Sequence, residues 1–131
     1  MNVLDTIRTV ADDGSLLAST EVYLDEELAG QCVGICFVFT EKTVFVYPEG
    51  ADDSIRVSSA PPAMFSDVSV RKNPAPAGWA SAVGCPILWA WVMMNMQGTI
   101  DGVQMEFGTV GHCSIKLQIL VRASTLVLRT L

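Results

Sequence analysis

The segment from residue 84 to residue 107, GCPILWAWVMMNMQGTIDGVQMEF, decides the fold. Its first half, Ile87–Met94, is an unbroken run of apolar residues that contains two of the three tryptophans, Trp89 and Trp91. Its last part, Val103–Phe107, alternates between apolar and polar residues. This succession is typical of a fully buried strand that leads into a half-buried strand. The segment therefore predicts a strand pair at the centre of the fold, with both indoles inside the core.

Two turn signals separate these predicted strands. Asn95, Gln97 and Gly98 form the first, and Asp101-Gly102 forms the second. Pro86 precedes the apolar run and is well placed to begin a helix. Hydrophobicity alone does not distinguish a buried helix from a buried strand, so the run is predicted as a strand with a helix as the open alternative.

The chain on either side of this segment predicts one helix and several strands. Asn2 can cap a helix with apolar residues at helical spacing, and Gly14 can end it. Leu16–Leu24 alternates with period two, which favours a strand, although its Leu, Ala and Glu residues leave a helix open. Cys32–Thr40 is apolar on both faces, so we expect it to be central. Further strands are predicted at Thr43–Tyr47, Ser54–Ser58, Cys113–Val121 and Thr125–Leu128.

An irregular segment, Ser59–Gly84, contains four of the six prolines. A short strand is predicted within it at Phe65–Val70. Loops of this length in a compact domain are usually functional or mobile. Trp79 lies in this segment, where a tryptophan serves either as a packing anchor or as a platform on which a ligand stacks.

These patterns together predict an α+β fold. One N-terminal helix packs on a strongly curved antiparallel sheet of about six to eight strands, in a single domain over residues 1–131. A chain of this length buries about two thirds of its unfolded surface, which suffices for a core without metal or disulfide support.

Composition restricts the partners that the chain can bind. Half of the residues are apolar, the mean hydropathy is +0.41 and 17% are charged, so the apolar surplus enters a large core, an oligomer interface or both. We expect a homodimer. The eight Lys and Arg residues are scattered and the net charge is −6, which argues against nucleic-acid binding. The acids cluster at Asp12-Asp13, Asp25-Glu26-Glu27 and Asp52-Asp53, as solvated turns or as an acidic face for a basic partner.

The sequence also indicates a compartment. No stretch is long and apolar enough to span a membrane, and the N-terminus lacks the pattern of a signal peptide. The four cysteines, Cys32, Cys36, Cys85 and Cys113, form no C-x-x-C pair, and only a Cys85–Cys113 disulfide merits a test. We expect reduced, mostly buried thiols in a cytoplasmic protein.

No catalytic residue, metal site or cofactor is predicted. Phosphate-binding loops are absent, and one histidine with dispersed cysteines gives no zinc spacing. His112 and Cys113, as neighbours on a strand, point to opposite faces and cannot form a dyad with each other. The carboxylates considered for acid–base chemistry fall in or beside predicted turns, where Asp and Gly are expected for backbone reasons; they are Asp52, Asp53, Asp101 and Glu106. The sequence leaves enzymatic activity undecided and favours a non-enzymatic role.

The candidate binding residues lie near the predicted turns. Asn95 and Gln97 interrupt an apolar stretch, so their amides need partners if they are buried. With Asp101 and Trp79 they would border a small-ligand pocket. Asp52 and Asp53 are candidates on the acidic face. The methionines near the same hairpin are predicted as core residues, with an adaptable binding surface as the alternative; they are Met93, Met94, Met96 and Met105.

The motif W-x-W-x-x-x-N-x-Q-G-x-x-D-G-x-Q resembles one found in a family of small bacterial proteins of unknown function. The chain matches it at Trp89, Trp91, Asn95, Gln97, Gly98, Asp101, Gly102 and Gln104. The resemblance covers about residues 16–108 and includes Asp52-Asp53-Ser54-Ile55. It implies no activity, cofactor or catalytic residue. In size and acidity the chain also resembles immunity proteins of toxin systems, which is an analogy of composition.

Three hypotheses of function follow. The first is a non-enzymatic protein-binding module, such as an immunity-type inhibitor that uses its acidic surface. The second is a small-ligand binding domain or a minor enzyme with a pocket near the Asn95–Asp101 turn. The third is a structural subunit of a homo-oligomer, whose interface takes up the apolar surplus.

Overall fold

A computed structural model describes residues 2–109 and 114–131. Within these residues the chain forms one α-helix, α1, and nine strands, which confirms the predicted α+β class. The helix spans Val3–Asp12. The strands are β1 Leu17–Asp25, β2 Gln31–Phe39, β3 Thr43–Glu49, β4 Ser54–Ser58, β5 Val70–Pro74, β6 Ile87–Met94, β7 Ile100–Phe107, β8 Ile115–Arg122 and β9 Thr125–Thr130.

Helix α1 forms as its capping pattern predicts. The Asn2 Oδ1 atom accepts a hydrogen bond from the Asp5 backbone N–H at 2.8 Å, which satisfies one of the free donors of the first turn. One face of the helix, formed by Val3, Ile7 and Val10, is buried. The helix therefore attaches to the sheet by a single apolar stripe.

The strands form one antiparallel sheet that branches at β2. Seven strands follow the order β4-β3-β2-β9-β8-β7-β6, while β1 pairs with β2 and β5 pairs with β1. Strand β2 borders β1 along its length, β3 over its second half and β9 at Cys32. The predicted central position of Cys32–Thr40 is confirmed, because a strand with three neighbours and two covered faces needs apolar residues on both sides.

The sheet curls around the core, and α1 closes its concave side. The helix contacts β4 at one margin of the sheet and β6 at the other. The start of β1 reaches the start of β6 through a bridge between Leu16 and Pro86. The interior between them is filled by fully buried side chains, among them Phe37, Phe107, Leu117 and Ile119. This curvature matches the predicted strong curvature and fixes which face of each strand is outside.

Strand β6 departs from its predicted position. Ile87–Met94 is a strand, as predicted, and the helical alternative does not occur. It is an edge strand, however, and pairs only with β7. The prediction that both indoles lie in the core is wrong, because Trp89 is 60% exposed and Trp91 is 39% exposed. An edge strand of a curled sheet has one face in solvent, and the apolar residues on that face do not contribute to the core.

The predicted second turn at Asp101-Gly102 does not form. Both residues belong to β7, and the hairpin has a single turn between Met94 and Ile100. The glycine serves close packing, since a Cβ atom at Gly102 would lie 2.8 Å from Leu120 Cδ2 and 3.0 Å from Met93 Cε. A Gly in a strand can mark such a close approach as well as a turn.

The segment from Ser59 to Gly84 also differs in detail. The predicted strand at Phe65–Val70 is wrong: a 3₁₀ turn occupies Ala63–Ser66, and the strand in this segment is β5. The turn directs Phe65 onto the outer face of the sheet, where it is buried. Among the other predicted strands, β1, β8 and β9 form as expected in their described residues, and Cys113 lies outside those residues.

Candidate functional site

The solvent face of β6–β9 carries the largest exposed aromatic surface of the described residues. Strand register aligns its side chains in rows across the sheet. Trp89 lies opposite Glu106, which lies opposite Lys116. Trp91 lies opposite Gln104, which lies opposite Gln118. We call these six residues the tryptophan face.

The geometry of this face is open and partly ordered by side-chain contacts. The two indole rings lie 6.4 Å apart between centroids and meet edge to face at 61°. The Gln118 Nε2 atom donates to Gln104 Oε1 at 3.3 Å. This bond leaves the second Nε2–H of Gln118 and the second lone pair of Gln104 Oε1 for other partners. Tryptophans are among the residues that are enriched at the centre of protein interfaces.

Met93 extends this apolar surface by one row toward the β6–β7 turn, since it lies opposite Gly102, which lies opposite Leu120. The other methionines of the hairpin lie elsewhere. Met94 is 63% exposed and Met96 is fully exposed, whereas Met105 is buried in the core. The predicted core role therefore holds for Met105 alone, since burial alternates along the hairpin. Contiguous exposed apolar side chains on a soluble protein usually mark an interaction site.

The side chain of Asn95 builds the turn that ends β6. Its Oδ1 atom accepts from the Gln97 backbone N–H at 2.9 Å and from the Thr99 backbone N–H at 3.2 Å. Gln97 itself is exposed and Asp101 is half-buried in β7. Asn95 thus stabilises the hairpin, as a turn asparagine typically does.

Asp52 lies close to this turn. It lines an open groove of about 300 Å³ together with Asn2, Arg56 and Thr99. The side chain and the backbone N–H of Ser54 lower the pKa of Asp52. The backbone N–H donates to Asp52 Oδ1 at 3.0 Å. The Arg56 guanidinium, with Nη2 3.8 Å from Asp52 Oδ2, acts in the same direction. The structure thus brings Asp52 and the turn after Asn95 to one surface.

Asp53 and Trp79 have structural contacts. Asp53 adopts a left-handed backbone with φ 52° and accepts from the Ser124 backbone N–H at 2.9 Å, which ties the β3–β4 turn to the β8–β9 turn. Trp79 is fully buried and stacks on Phe37, with ring centroids 5.9 Å apart. It presents no surface to a ligand, and its position matches the packing-anchor alternative.

Antiparallel pairing gathers acidic residues at one end of the sheet. The β1–β2, β3–β4, β6–β7 and β8–β9 turns share this end, which carries Asp25-Glu26-Glu27 and Asp52-Asp53. Asp12 and Asp13, the last residue and the C-cap of α1, lie at the opposite end. At the end that holds the four turns, Asp25 and Asp67 line a groove of about 260 Å³, and Arg71 Nε pairs with Glu26 Oε1 at 2.7 Å. We call the end with the four turns the acidic end.

The cysteines of the described residues are free thiols. Cys32 and Cys36 are buried and Cys85 is partly exposed. Burial raises the pKa of the Cys32 thiol to about 11 and also raises the pKa of Cys36. Both thiols are therefore neutral near pH 7 and are poor nucleophiles. The predicted His112–Cys113 neighbours and the Cys85–Cys113 pair fall partly or wholly outside the described residues.

The raised pKa of Cys32 predicts a loss of stability in alkali. The folded state holds the thiol protonated above its ordinary pKa of 9.0, so stability is complete below about pH 9 and falls as the pH rises to about 11. We expect Cys32 to account for about 2–3 kcal/mol of that loss. Urea unfolding of the wild type and of Cys32→Ala across this range measures it. Equal pH slopes in the two proteins would contradict the prediction.

Sequence reasoning missed the tryptophan face because it assigned the whole apolar run to the core. The signal was present in the strand period, since Trp89 and Trp91 share one face of a strand with Met93. Gln104 was also missed as a site residue, although it belongs to the motif described above. Three of the eight motif residues, Trp89, Trp91 and Gln104, therefore lie together on this face.

Two further properties concern the described residues as a whole. No helix among them is long and apolar enough to cross a membrane. Nor do they contain a group of three or more His, Cys, Asp or Glu side chains that could hold a metal ion.

Fold and surface define an α+β protein with one capped helix, a curled antiparallel sheet and an exposed aromatic face. The chain belongs to a family of unknown function, DUF6334, whose model matches residues 8–131. Comparison with curated proteins and with solved structures finds no match.

Proposed function

We propose that this protein is a non-enzymatic protein-binding module that docks its partner on the tryptophan face. The observation that carries the proposal is the exposure of Trp89 and Trp91, side by side, on an ordered sheet. Together they leave on the order of 200 Å² of aromatic surface in solvent, an area that is costly unless a partner covers it.

The chemistry of the other candidate groups supports binding over catalysis. All four carboxylates considered for acid–base chemistry, which are Asp52, Asp53, Asp101 and Glu106, are at least partly exposed. A general acid or base at neutral pH needs a dry environment that raises its pKa. Asp52 has the opposite shift, since its contacts lower its pKa. It is therefore suited to hold a negative charge for recognition.

The acidic end supports a basic partner. Met93 continues the tryptophan face toward the β6–β7 turn, which lies at the same end of the sheet as Asp52. A partner with apolar and basic side chains would contact both surfaces, and the acids would increase its association rate. An immunity-type inhibitor that binds a basic partner would use its surface in this way. Such an inhibitor is expected to associate with its partner more slowly as salt is added.

Replacing Trp89 and Trp91 by alanine is expected to abolish partner capture without unfolding the protein. Exposed tryptophans at an interface centre each contribute about 2 kcal/mol or more to binding, so the double variant should bind over a hundredfold more weakly. Affinity capture from an extract of the source cells, followed by titration of the recovered partner, measures the effect. Thermal unfolding should show a change within about 1 kcal/mol, because the two side chains lie on the solvent face.

A matched control comes from an exposed apolar residue outside this face. Val83 is 46% exposed and lines neither the grooves at the acidic end nor the tryptophan face. Val83→Ala should retain the partner. The proposal fails if the tryptophan variant retains the partner as well, or if the recovered partner is a second copy of the chain. Light scattering at micromolar concentration separates that last outcome, which would favour the structural-subunit hypothesis and the expected homodimer.

A further inference from the structure

A groove separates α1 from the outer edge of β6. It has a volume of about 250 Å³. The helix contributes Leu4, Ile7, Arg8, Ala11 and Asp12, and the strand contributes the four consecutive residues Ile87, Leu88, Trp89 and Ala90. Side chains of consecutive strand residues point to opposite faces. Because all four line one groove, the backbone edge of β6 forms part of its wall.

This edge has no strand partner among the described residues. Strand β6 pairs with β7 on its other side, and the bridge from Leu16 reaches only Pro86, just before the strand. Every second residue of an edge strand directs its N–H and C=O outward, and these groups need a donor or acceptor. An extended polypeptide supplies both at the matching spacing.

The sequence of β6 leaves this edge unprotected. Ile87–Met94 contains no charged residue and no proline. The edge strand β5 is different, since it carries Arg71, Lys72 and Pro74, which oppose pairing with another chain. Of these two edge strands, β6 therefore lacks the residues that prevent another strand from pairing with it.

The charges at the rim of the groove indicate what kind of segment fits. Arg8 and Asp12 are both exposed, and neither forms an ion pair among the described residues. They lie one helical turn apart, which is about 6 Å along the axis. Side chains two residues apart on one side of an extended strand are separated by about 6.6 Å. An acidic and a basic side chain in that arrangement would meet both charges at once.

We propose that the α1–β6 groove takes an extended segment of a partner protein as an added strand. The segment carries apolar residues at alternate positions, and an acidic and a basic residue two positions apart that pair with Arg8 and Asp12. The groove lies below the roughly 300–1,000 Å³ of pockets that enclose small molecules, so it fits a few residues of a chain passing along the edge. The inference rests on the proposed function, because it names the kind of segment that such a partner presents.

A display library of short peptides tests the proposal with the intact protein. Each peptide has apolar residues at alternate positions and a Glu and a Lys two residues apart, in either order. We expect enrichment of one order, and the double variant Arg8→Glu/Asp12→Lys should reverse the preference by about three- to tenfold. A library that yields no binder, or an unchanged preference in the variant, overturns the proposal.

Backbone methylation distinguishes strand addition from side-chain docking alone. Two sets of alternate residues of an enriched peptide can be N-methylated, and only one set directs its N–H groups toward β6. Methylation of that set should weaken binding about a hundredfold, and methylation of the other set should have little effect. Equal effects of the two sets overturn the added strand.

The outcome is separable from that of the proposed function through Trp91, which does not line the groove. If Trp91→Ala loses partner capture and the peptides do not bind, the tryptophan face remains supported as the binding site and the groove proposal is wrong. If peptide binding depends on which residues are methylated and Trp91→Ala captures the partner fully, the groove proposal is supported and the proposed role of the tryptophan face is wrong.

Discussion

Replacing Trp79 by alanine is expected to lower the free energy of unfolding by about 3–5 kcal/mol. The indole is fully buried and stacks on Phe37 at an interplanar angle of 17°. Removing it leaves a cavity that the curled sheet cannot close, because Trp79 holds the 3₁₀ turn Ala77–Ala82 against β1 and β8. A loss of this size is a large part of the 5–15 kcal/mol that stabilises a typical domain.

The variant Trp79→Phe separates shape from polarity. The Trp79 indole N–H is buried and has no hydrogen-bond partner among residues 2–109 and 114–131, and a donor without a partner costs about 1–3 kcal/mol. Phenylalanine keeps an aromatic ring against Phe37 and removes this donor. We therefore expect Trp79→Phe to cost less than half as much as Trp79→Ala in urea unfolding. Equal losses in the two variants would contradict this expectation.

Replacing Gly34 by alanine should cost about 2–4 kcal/mol. Gly34 lies in β2, and a Cβ atom there would overlap the ring of Phe65. That ring is fixed from several sides: it stacks on Tyr23 at 4.0 Å between centroids and meets Phe45 and Tyr47 edge to face. The alanine must therefore displace Phe65 and expose the rings of Tyr23, Phe45 and Tyr47 that it contacts.

A double-mutant cycle tests this explanation. Phe65→Ala removes the ring, so Gly34→Ala added to it should cost almost nothing, and the coupling energy should equal most of the single effect. Gly50→Ala is the matched control, because a Cβ atom there would lie at an ordinary 3.5 Å from Ser124 Oγ. It should change stability by less than about 0.5 kcal/mol. Additive effects at Gly34 and Phe65 would contradict the overlap.

The sequence predicted the elements of the fold well because their signals are local. The cap at Asn2, the alternation in β1 and the two apolar faces of β2 each depend on neighbours in the chain. The turn at Asn95 was predicted for the same reason, and its side chain makes the expected contacts with the turn backbone. Gly102 was misassigned because a glycine that permits close packing and a glycine that permits a turn look alike in sequence.

The candidate site was harder to predict. Asn95, Gln97 and Asp101 drew attention because polar residues interrupt an apolar run. The groove beside Asp52 links that turn to the acidic end, but Trp79 lies fully buried in the core. Nothing in the local pattern of a loop tryptophan reports which side chains will cover it. That outcome depends on Phe37, which lies 42 positions earlier in the chain.

The sequence by itself determined that this chain forms one helix and an antiparallel sheet with an apolar interior. Only the tertiary structure decided that Trp89 and Trp91 lie outside, because this depends on the order of strands. That order places β2 at the branch and β6 at the margin. A strand that is apolar on both faces can lie in the interior of the sheet, as β2 does, or at an edge where one apolar face is exposed, as β6 does. The pairing of strands distant in sequence chooses between them.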